Sequence, residues 1–279
     1  KISVEELLKG IIIGNANDAA CALAEGISGT EEDFVLLMNS RAAQLGMTDT
    51  LYINASGYKS VGDRTTAEDT ARLLCELSKH KQLAEIFTTR MEYIRDDTVQ
   101  LVTSDPDGIR YSGSVGFKSG FWEDEDGGRT YYSAEGACRD GDIFVSAVLG
   151  EDDEDISSEK ALALLDTGFA AYETVLPEAP SDMPRTVKVR NGRLGEIRIE
   201  AQTPPKAVVS VGTSDEITCR TAVPDYVYAP VKRGDKIGEI LYYYDDEHIF
   251  SADITAVRSC EEKTFKYNVV KMLKNIVKL

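Results

Sequence analysis

The sequence predicts an α+β domain followed by a small all-β domain. Three observations carry that expectation. Apolar residues recur at helical spacing from Val4 to His80, strand-like segments replace them from about Thr89 to Leu149, and Pro177, Pro180 and Pro184 introduce a second run of short, turn-bounded strands. With 279 residues and 42% hydrophobic composition, the chain is long enough to bury a substantial core in each part.

Taken in order, Val4 to Ile13 is apolar on more than one face and reads as a buried helix that Gly14 breaks. Asp18 is placed to cap a second helix reaching Ile27, which leaves Asn15 and Asn17 in the loop between. Thr30 with Asp33 resembles a capping box opening a helix whose Phe34, Leu37, Met38, Ala42 and Leu45 share a face, and Gly46 ends it. Thr66 to His80 repeats the pattern with Leu73, Leu74 and Leu77. Strands are expected over Met91 to Arg95, Val99 to Thr103, Ser114 to Ser119, Arg129 to Ala137 and Ile143 to Leu149, and a covering helix over Ser158 to Glu173.

The proline cluster reads as a stiff linker, 177–184, between a first domain at 1–176 and a second at 185–262. In the second, Thr186 to Arg190 and Leu194 to Glu200 flank an Asn191-Gly192 turn as a hairpin. Strands at Ala207 to Val211, Ile217 to Thr221, Tyr226 to Ala229, Ile237 to Tyr244 and Ile249 to Ala256 complete a small β-sandwich. The tail, 263–279, carries Lys263, Lys266, Lys271, Lys274 and Lys278 and no acid. With Val269, Val270, Met272, Leu273, Ile276 and Val277 it forms a basic amphipathic helix suited to a membrane surface.

Composition excludes several classes. Forty-eight acidic against 31 basic residues give a net charge of −17, which would repel a polyphosphate, so no nucleic acid partner is expected. Cys21, Cys75, Cys138, Cys219 and Cys260 show no metal-ligand spacing, and only His80 and His248 could join them, so neither metal nor cofactor is expected and the cysteines read as buried free thiols. No signal-peptide pattern and no run of roughly 20 apolar residues is present.

The chemistry-bearing motif is Lys118-Ser119-Gly120, within Ser114 to Phe121 and followed by further strands. A strand edge with a lysine and a glycine offers positive charge and a flat path for an extended peptide. Around it, in order, stand Val4 to Gly10, Asn15-Ala16-Asn17-Asp18-Ala19-Ala20, Leu23-Ala24-Glu25, Phe34 to Asn39, Leu45 to Thr50, Asn54 to Gly57 and Thr66-Ala67-Glu68-Asp69.

This succession, from Val4 to about Tyr172, closely resembles the low-molecular-mass penicillin-binding proteins, the serine-type D-alanyl-D-alanine carboxypeptidases. The segment Ala229 to Gly238 resembles a stretch of that family's second domain. The resemblance implies a β-lactamase/transpeptidase-like catalytic domain, truncated at its N-terminus, and acyl-enzyme hydrolysis of peptidoglycan stem peptides in the cell envelope. Lys118 and Asn17 would orient substrate, Ser119 would contribute a hydroxyl, and Gly120 would leave room for the peptide. Asn15 stands where the family has the proton-relaying serine of Ser-x-Asn, and an amide cannot relay a proton as a hydroxyl does.

The family's nucleophile is a serine activated by a lysine one helical turn later, upstream of the matched region. That spacing recurs here only downstream of Asn17, as Ser56 with Lys59, Ser78 with Lys81 and Ser157 with Lys160, so the acylating pair is expected to be absent from this chain. The position of the family's carboxylate-receiving arginine falls near Ser157, behind the acidic run Glu151 to Asp155, and a second acidic run, Glu123 to Asp126, follows the lysine motif. With the nucleophile restored, β-lactams become expected ligands. The alternatives are a catalytically inactive homologue that binds peptidoglycan or an envelope partner and, less favoured, a class A β-lactamase, against which the appended sandwich and lysine-rich tail count.

Overall fold

The structure is a computed structural model and describes residues 1–58, 62–103, 110–123 and 126–276. The chain divides into two compact units, Lys1–Ala170 and Ala171–Leu279.

The first unit opens with five helices. α1 (Val4–Ile12) starts at a reciprocal capping box: Ser3 Oγ accepts from the Glu6 amide at 3.1 Å, and the Glu6 carboxylate accepts from the Ser3 amide at 2.9 Å. The same carboxylate accepts from the Arg95 amide at 3.0 Å, fastening α1 to the turn of a hairpin made by β1 (Met91–Ile94) and β2 (Val99–Val102). α2 (Asn17–Ser28) departs from expectation at its start. Its cap is Ala16, without a side-chain bond, and Asp18 lies inside the first turn, where its carboxylate accepts from Ala19 N and favours the positive end of the helix.

α3 (Glu31–Gln44) and α4 (Ala67–Leu77) begin at Thr30 and Thr66 as expected, each threonine hydroxyl accepting from the amide three residues on at 3.1 Å. On α3, however, Leu37 is 54% exposed and only Ala42 is fully buried. α5 (Lys81–Phe87) was not expected, because its seven residues are too few to establish a period.

Behind the helices stands an antiparallel sheet ordered β3 (Ser114–Glu123), β4 (Arg129–Arg139), β5 (Asp142–Glu151). Leu74 of α4, Phe117 of β3 and Ala134 of β4 form its buried centre, with Phe87 of α5 edge-on to Phe117 at 5.4 Å. A register shift between Ser114 and Gly116 lets β3 bulge, Gly116 taking φ 83° and Phe117 φ 134°.

α6 (Glu154–Ala171) packs Phe169 edge-on against Phe144 of β5 at 4.8 Å. It begins four residues before its expected start because Asp153 accepts from the Ile156 amide at 3.0 Å. The acidic run is therefore a helix entry, and Glu151 meets Lys160 at 2.7 Å. The expected helical residues Tyr172 and Glu173 belong instead to a strand, β6 (Tyr172–Val175).

A polar latch ties α6 to the end of β4. Tyr111 Oη donates to the Asp166 carboxylate at 2.5 Å, and Arg139 donates to the Tyr111 oxygen at 2.6 Å and to Asp166 at 3.2 Å. Burial, then the bond to Asp166, pushes the Tyr111 hydroxyl up to about 12, while Tyr111 first and Arg139 second hold the Asp166 carboxyl below its usual range. A raised tyrosine stabilises fully below its unfolded value near pH 10, and that stabilisation is lost as pH climbs through about 12. The lowered aspartate works in the opposite direction, its contribution being lost as pH falls through its depressed value. Urea unfolding at about pH 9 and about pH 11 should therefore show an alkaline loss that shrinks in Tyr111→Phe; an unchanged loss would assign it elsewhere.

The second unit is β-rich. β6 pairs with β9 (Ala207–Ser210), and a six-stranded sheet runs β10 (Thr218–Ala222), β12 (Lys236–Tyr244), β13 (Glu247–Ala256), β8 (Glu196–Ala201), β7 (Thr186–Arg190), β11 (Tyr226–Tyr228). All its pairings are antiparallel except β11 with β7. Alternate residues of β7 and β8 point inward, and Ile197, Ile240, Ile254 and Tyr242 fill the centre. Asn191, at φ 56°, makes the expected turn between β7 and β8. α7 (Phe265–Ile276) ends the described chain. Phe265, Val269, Val270 and Met272 are exposed on it, while Val277 of the expected stripe lies outside the described residues, as do the side chains of Leu273 and Ile276.

Candidate active site

The lysine motif lies on the outer strand of the first unit's sheet. β3 pairs with β4 along one side, and among the described residues no strand pairs with its other side, which leaves backbone donors and acceptors for an extended peptide. Lys118 is half-buried, and its ammonium donates to the carbonyl of Ile12, the last residue of α1, at 2.5 Å. One bond between residues 106 positions apart thus sets the strand beside the turn that carries Asn15 and Asn17.

That turn is held by α1 itself. The Gly10 carbonyl accepts from Gly14 N at 3.1 Å and from Ala16 N at 3.0 Å. Asn15 sits at φ 53°, a left-handed conformation that asparagine tolerates better than most residues. The position therefore has a conformational reason for asparagine beside any chemical one. Asn17 is exposed and opens α2.

Ser119 is 4% exposed and stands across from Ser133, whose hydroxyl donates to the buried Glu135 carboxylate at 3.0 Å. Gly120 faces Tyr132. Beyond it the strand pair is closed by aromatic side chains. Phe121 meets Tyr131 at 5.9 Å, Trp122 stacks on Tyr132 at 6.0 Å, and Arg129 covers the Phe121 ring at 4.3 Å while pairing with Glu123 at 3.2 Å. Glu123, first of the acidic run, is thus matched by a cation; Asp124 and Glu125 lie outside the described residues.

The Ser-x-x-Lys spacings stand elsewhere. Ser157 is 1% exposed on the inner side of α6, so it presents nothing to a substrate carboxylate. Ser78 closes α4 with its hydroxyl donating to the Cys75 carbonyl at 2.8 Å, and Lys59, partner of Ser56, lies outside the described residues. All five cysteines are free, but the expectation of buried thiols holds only for Cys260: Cys75 is exposed and the other three are intermediate.

Sequence reasoning missed Glu135 and Tyr132. Glu135 was visible as an acid in a strand otherwise made of Tyr131-Tyr132-Ser133-Ala134 and Gly136-Ala137, whereas Tyr132 acquires meaning only from the register that puts it across from Gly120.

An edge strand bearing Lys-Ser-Gly, set by its lysine against an Asn-Ala-Asn turn of a helical region and followed by a β domain, defines the class of penicillin-recognising serine peptidases. Comparison with known proteins agrees. The family profile described as D-alanyl-D-alanine carboxypeptidase matches residues 1–132, and that of the penicillin-binding protein 5 C-terminal domain matches residues 172–262. D-alanyl-D-alanine carboxypeptidase DacF of Bacillus subtilis is 27% identical over 270 residues, covering 95% of this chain and 68% of that protein. DacC of Escherichia coli is 26% identical over 275 residues, covering 95% and 66%.

Among solved structures, penicillin binding protein 5 from Haemophilus influenzae superposes with a TM-score of 0.73 at 23% identity, over 94% of this chain and 75% of that one, which establishes the fold. Penicillin-Binding Protein D2 from Listeria monocytogenes, in a cefotaxime-bound form, gives 0.52 at 27% identity over 60% of this chain and 67% of that one. This chain belongs to the low-molecular-mass penicillin-binding proteins and is a homologue of the serine-type D-alanyl-D-alanine carboxypeptidases of peptidoglycan. It spans about two thirds of the length of the curated relatives it matches.

Proposed function

We propose that the chain is the substrate-orienting portion of a D-alanyl-D-alanine carboxypeptidase that trims peptidoglycan stem peptides through an acyl-enzyme. The observation that carries this is the bond from Lys118 to the Ile12 carbonyl, which joins the edge strand to the Asn15-Ala16-Asn17 turn. In this reading a serine hydroxyl, activated by a lysine, attacks the penultimate D-alanyl carbonyl; the amide bond breaks, the terminal D-alanine leaves with the proton, and water then releases the acyl group. The acylating serine and its lysine are not taken from the spacings present in these 279 residues.

Lys118 places positive charge beside the developing oxyanion, the Asn17 amide holds a substrate amide with donor and acceptor together, and Gly120 keeps the strand open; the Ser119 hydroxyl expected to join them is withdrawn from solvent, the residue being 4% exposed, and is given no substrate contact. Asn15 shapes the turn and relays no proton. β-Lactams enter the same route when the nucleophile is present. The test is release of D-alanine from an acylated tripeptide ending in D-alanyl-D-alanine by the complete gene product, with the peptide ending in L-alanyl-L-alanine as control. Release from the D form alone is expected, and no release by a folded sample would reject the enzymatic reading.

In this reading the protein acts in the extracytoplasmic envelope, with α7 resting on a membrane surface. Phe265, Val269, Val270 and Met272 are exposed beside basic Lys266, the composition of an interfacial helix. No helix among the described residues is long and apolar enough to cross a membrane. Flotation with anionic vesicles, lost on deleting 265–279, is the expected result; equal flotation without the segment would refute it.

A further inference from the structure

On β3, Lys118, Gly120 and Trp122 occupy alternate positions, across from Ala134, Tyr132 and Thr130 of β4. The absent side chain of Gly120 leaves a gap that Tyr132 enters: its hydroxyl oxygen lies 2.7 Å from the point where a Cβ on Gly120 would stand. The phenol ring is held by the Trp122 indole, nearly parallel at 13° with centroids 6.0 Å apart, and Trp122 is itself 48% exposed. Among the described residues the Tyr132 hydroxyl has no hydrogen-bond partner, and burial alone raises its pKa, so at neutral pH it is a phenol with a proton to donate. A half-buried hydroxyl without a protein partner, lying over the glycine two positions from the lysine and beside an open strand edge, is available to donate to an acceptor that a ligand brings.

We propose that Tyr132 is a further substrate-binding residue of this site, its hydroxyl donating to the terminal carboxylate of a D-alanyl-D-alanine peptide laid along β3. The assignment rests on the carboxypeptidase reading and names the group that receives the carboxylate. The two other hydroxyls considered for such a role are withdrawn from solvent: Ser157 is 1% exposed and Ser119 4%. The Lys118 ammonium is already engaged by the Ile12 carbonyl, on the helical side of the strand. A neutral donor also suits a hairpin whose flanking residues are acidic, because it selects an acceptor by geometry rather than by a salt bridge.

The chain carries its own reporter, since Trp122 is the one tryptophan in the sequence and stacks on Tyr132. An acylated tripeptide ending in D-alanyl-D-alanine and the same peptide as its C-terminal amide would be titrated into the 279-residue chain, following Trp122 emission and calorimetric heat. The acid is expected to bind about tenfold more tightly than the amide. Tyr132→Phe, which keeps the ring and its stacking, should retain binding but lose that preference.

Equal preference for the acid in Tyr132→Phe would overturn the assignment to Tyr132 while leaving the strand as the peptide site. Binding of neither peptide by the unaltered, folded chain would overturn both the assignment and the reading beneath it. Loss of all binding in Tyr132→Phe, with unchanged near-ultraviolet circular dichroism, would also contradict the proposal, because it would mean that the hydroxyl organises the site rather than receiving one group.

Discussion

Lys118→Ala is expected to slow acylation of the complete gene product by a fluorescent penicillin by about 10²- to 10³-fold, with the fold intact. The magnitude is that of losing one preorganised electrostatic group at a developing oxyanion, about 3–4 kcal/mol of transition-state stabilisation. Two effects add at this position. The ammonium charge disappears from the strand edge, and the Ile12 carbonyl loses the donor that sets β3 beside the Asn15-Ala16-Asn17 turn. Lys118→Arg should not restore full activity, because a planar guanidinium cannot reproduce a single ammonium bond at 2.5 Å to a helix-terminal carbonyl. The check is the acylation rate at saturating and sub-saturating penicillin, alongside the unfolding midpoint. A variant that acylates at the original rate would remove Lys118 from the chemistry.

Gly116→Ala is expected to destabilise the first unit by about 3 kcal/mol or more, the largest stability effect of any single methyl group considered. Gly116 has φ 83°, where an L side chain is strained, and a Cβ there would stand 2.9 Å from the backbone carbon of Phe87 and 3.0 Å from its oxygen. Backbone cannot move aside as the end of a side chain can, so α5 or the bulge must shift, and with them Phe117 and the edge-on contact that begins the lysine strand. Gly141→Ala separates the two causes. Its φ of 88° carries the same conformational strain, but nothing lies within 4 Å of its added methyl, so only about 1 kcal/mol should be lost. Equal losses in the two variants, measured by urea unfolding, would show that the close approach to Phe87 costs nothing.

Much of this architecture was legible because local chemistry and tertiary structure agree. Thr30 and Thr66 announce helices with the same side-chain bond they make in the structure, and the Asn191-Gly192 turn joins the two strands that flank it. The Ser3 and Glu6 capping box was equally readable and went unused. Where expectation failed, a non-local contact decided. Asp18 looked like a cap, yet the turn before α2 is closed by the Gly10 carbonyl, which places the helix start at Asn17. The acidic run lay outside the helix expected from Ser158, but Asp153 uses its carboxylate to begin that helix at Glu154.

The candidate site divides in the same way. Lys118, Ser119 and Gly120 form one continuous string and could be found by reading. The partnership of Lys118 with Ile12 spans 106 residues, beyond any window along the sequence, and the entry of Tyr132 into the gap at Gly120, only 12 residues on, depends on the register of the β3–β4 pair. The departures from the family pattern also acquire physical reasons only in three dimensions. Asn15 satisfies a left-handed turn, and Ser157 is buried on α6 at 1% exposure.

The central claim is that this chain supplies the substrate-orienting half of a penicillin-recognising active site, and intact-mass analysis after fluorescent penicillin labelling tests it most directly. The complete gene product and the 279-residue chain would be labelled side by side, with folding of each confirmed by circular dichroism. A stoichiometric penicilloyl adduct on the complete product, absent from the 279-residue chain and strongly slowed by Lys118→Ala, is the expected result; a folded complete product that takes up no adduct would contradict the claim and leave a peptidoglycan-binding homologue without acyl transfer.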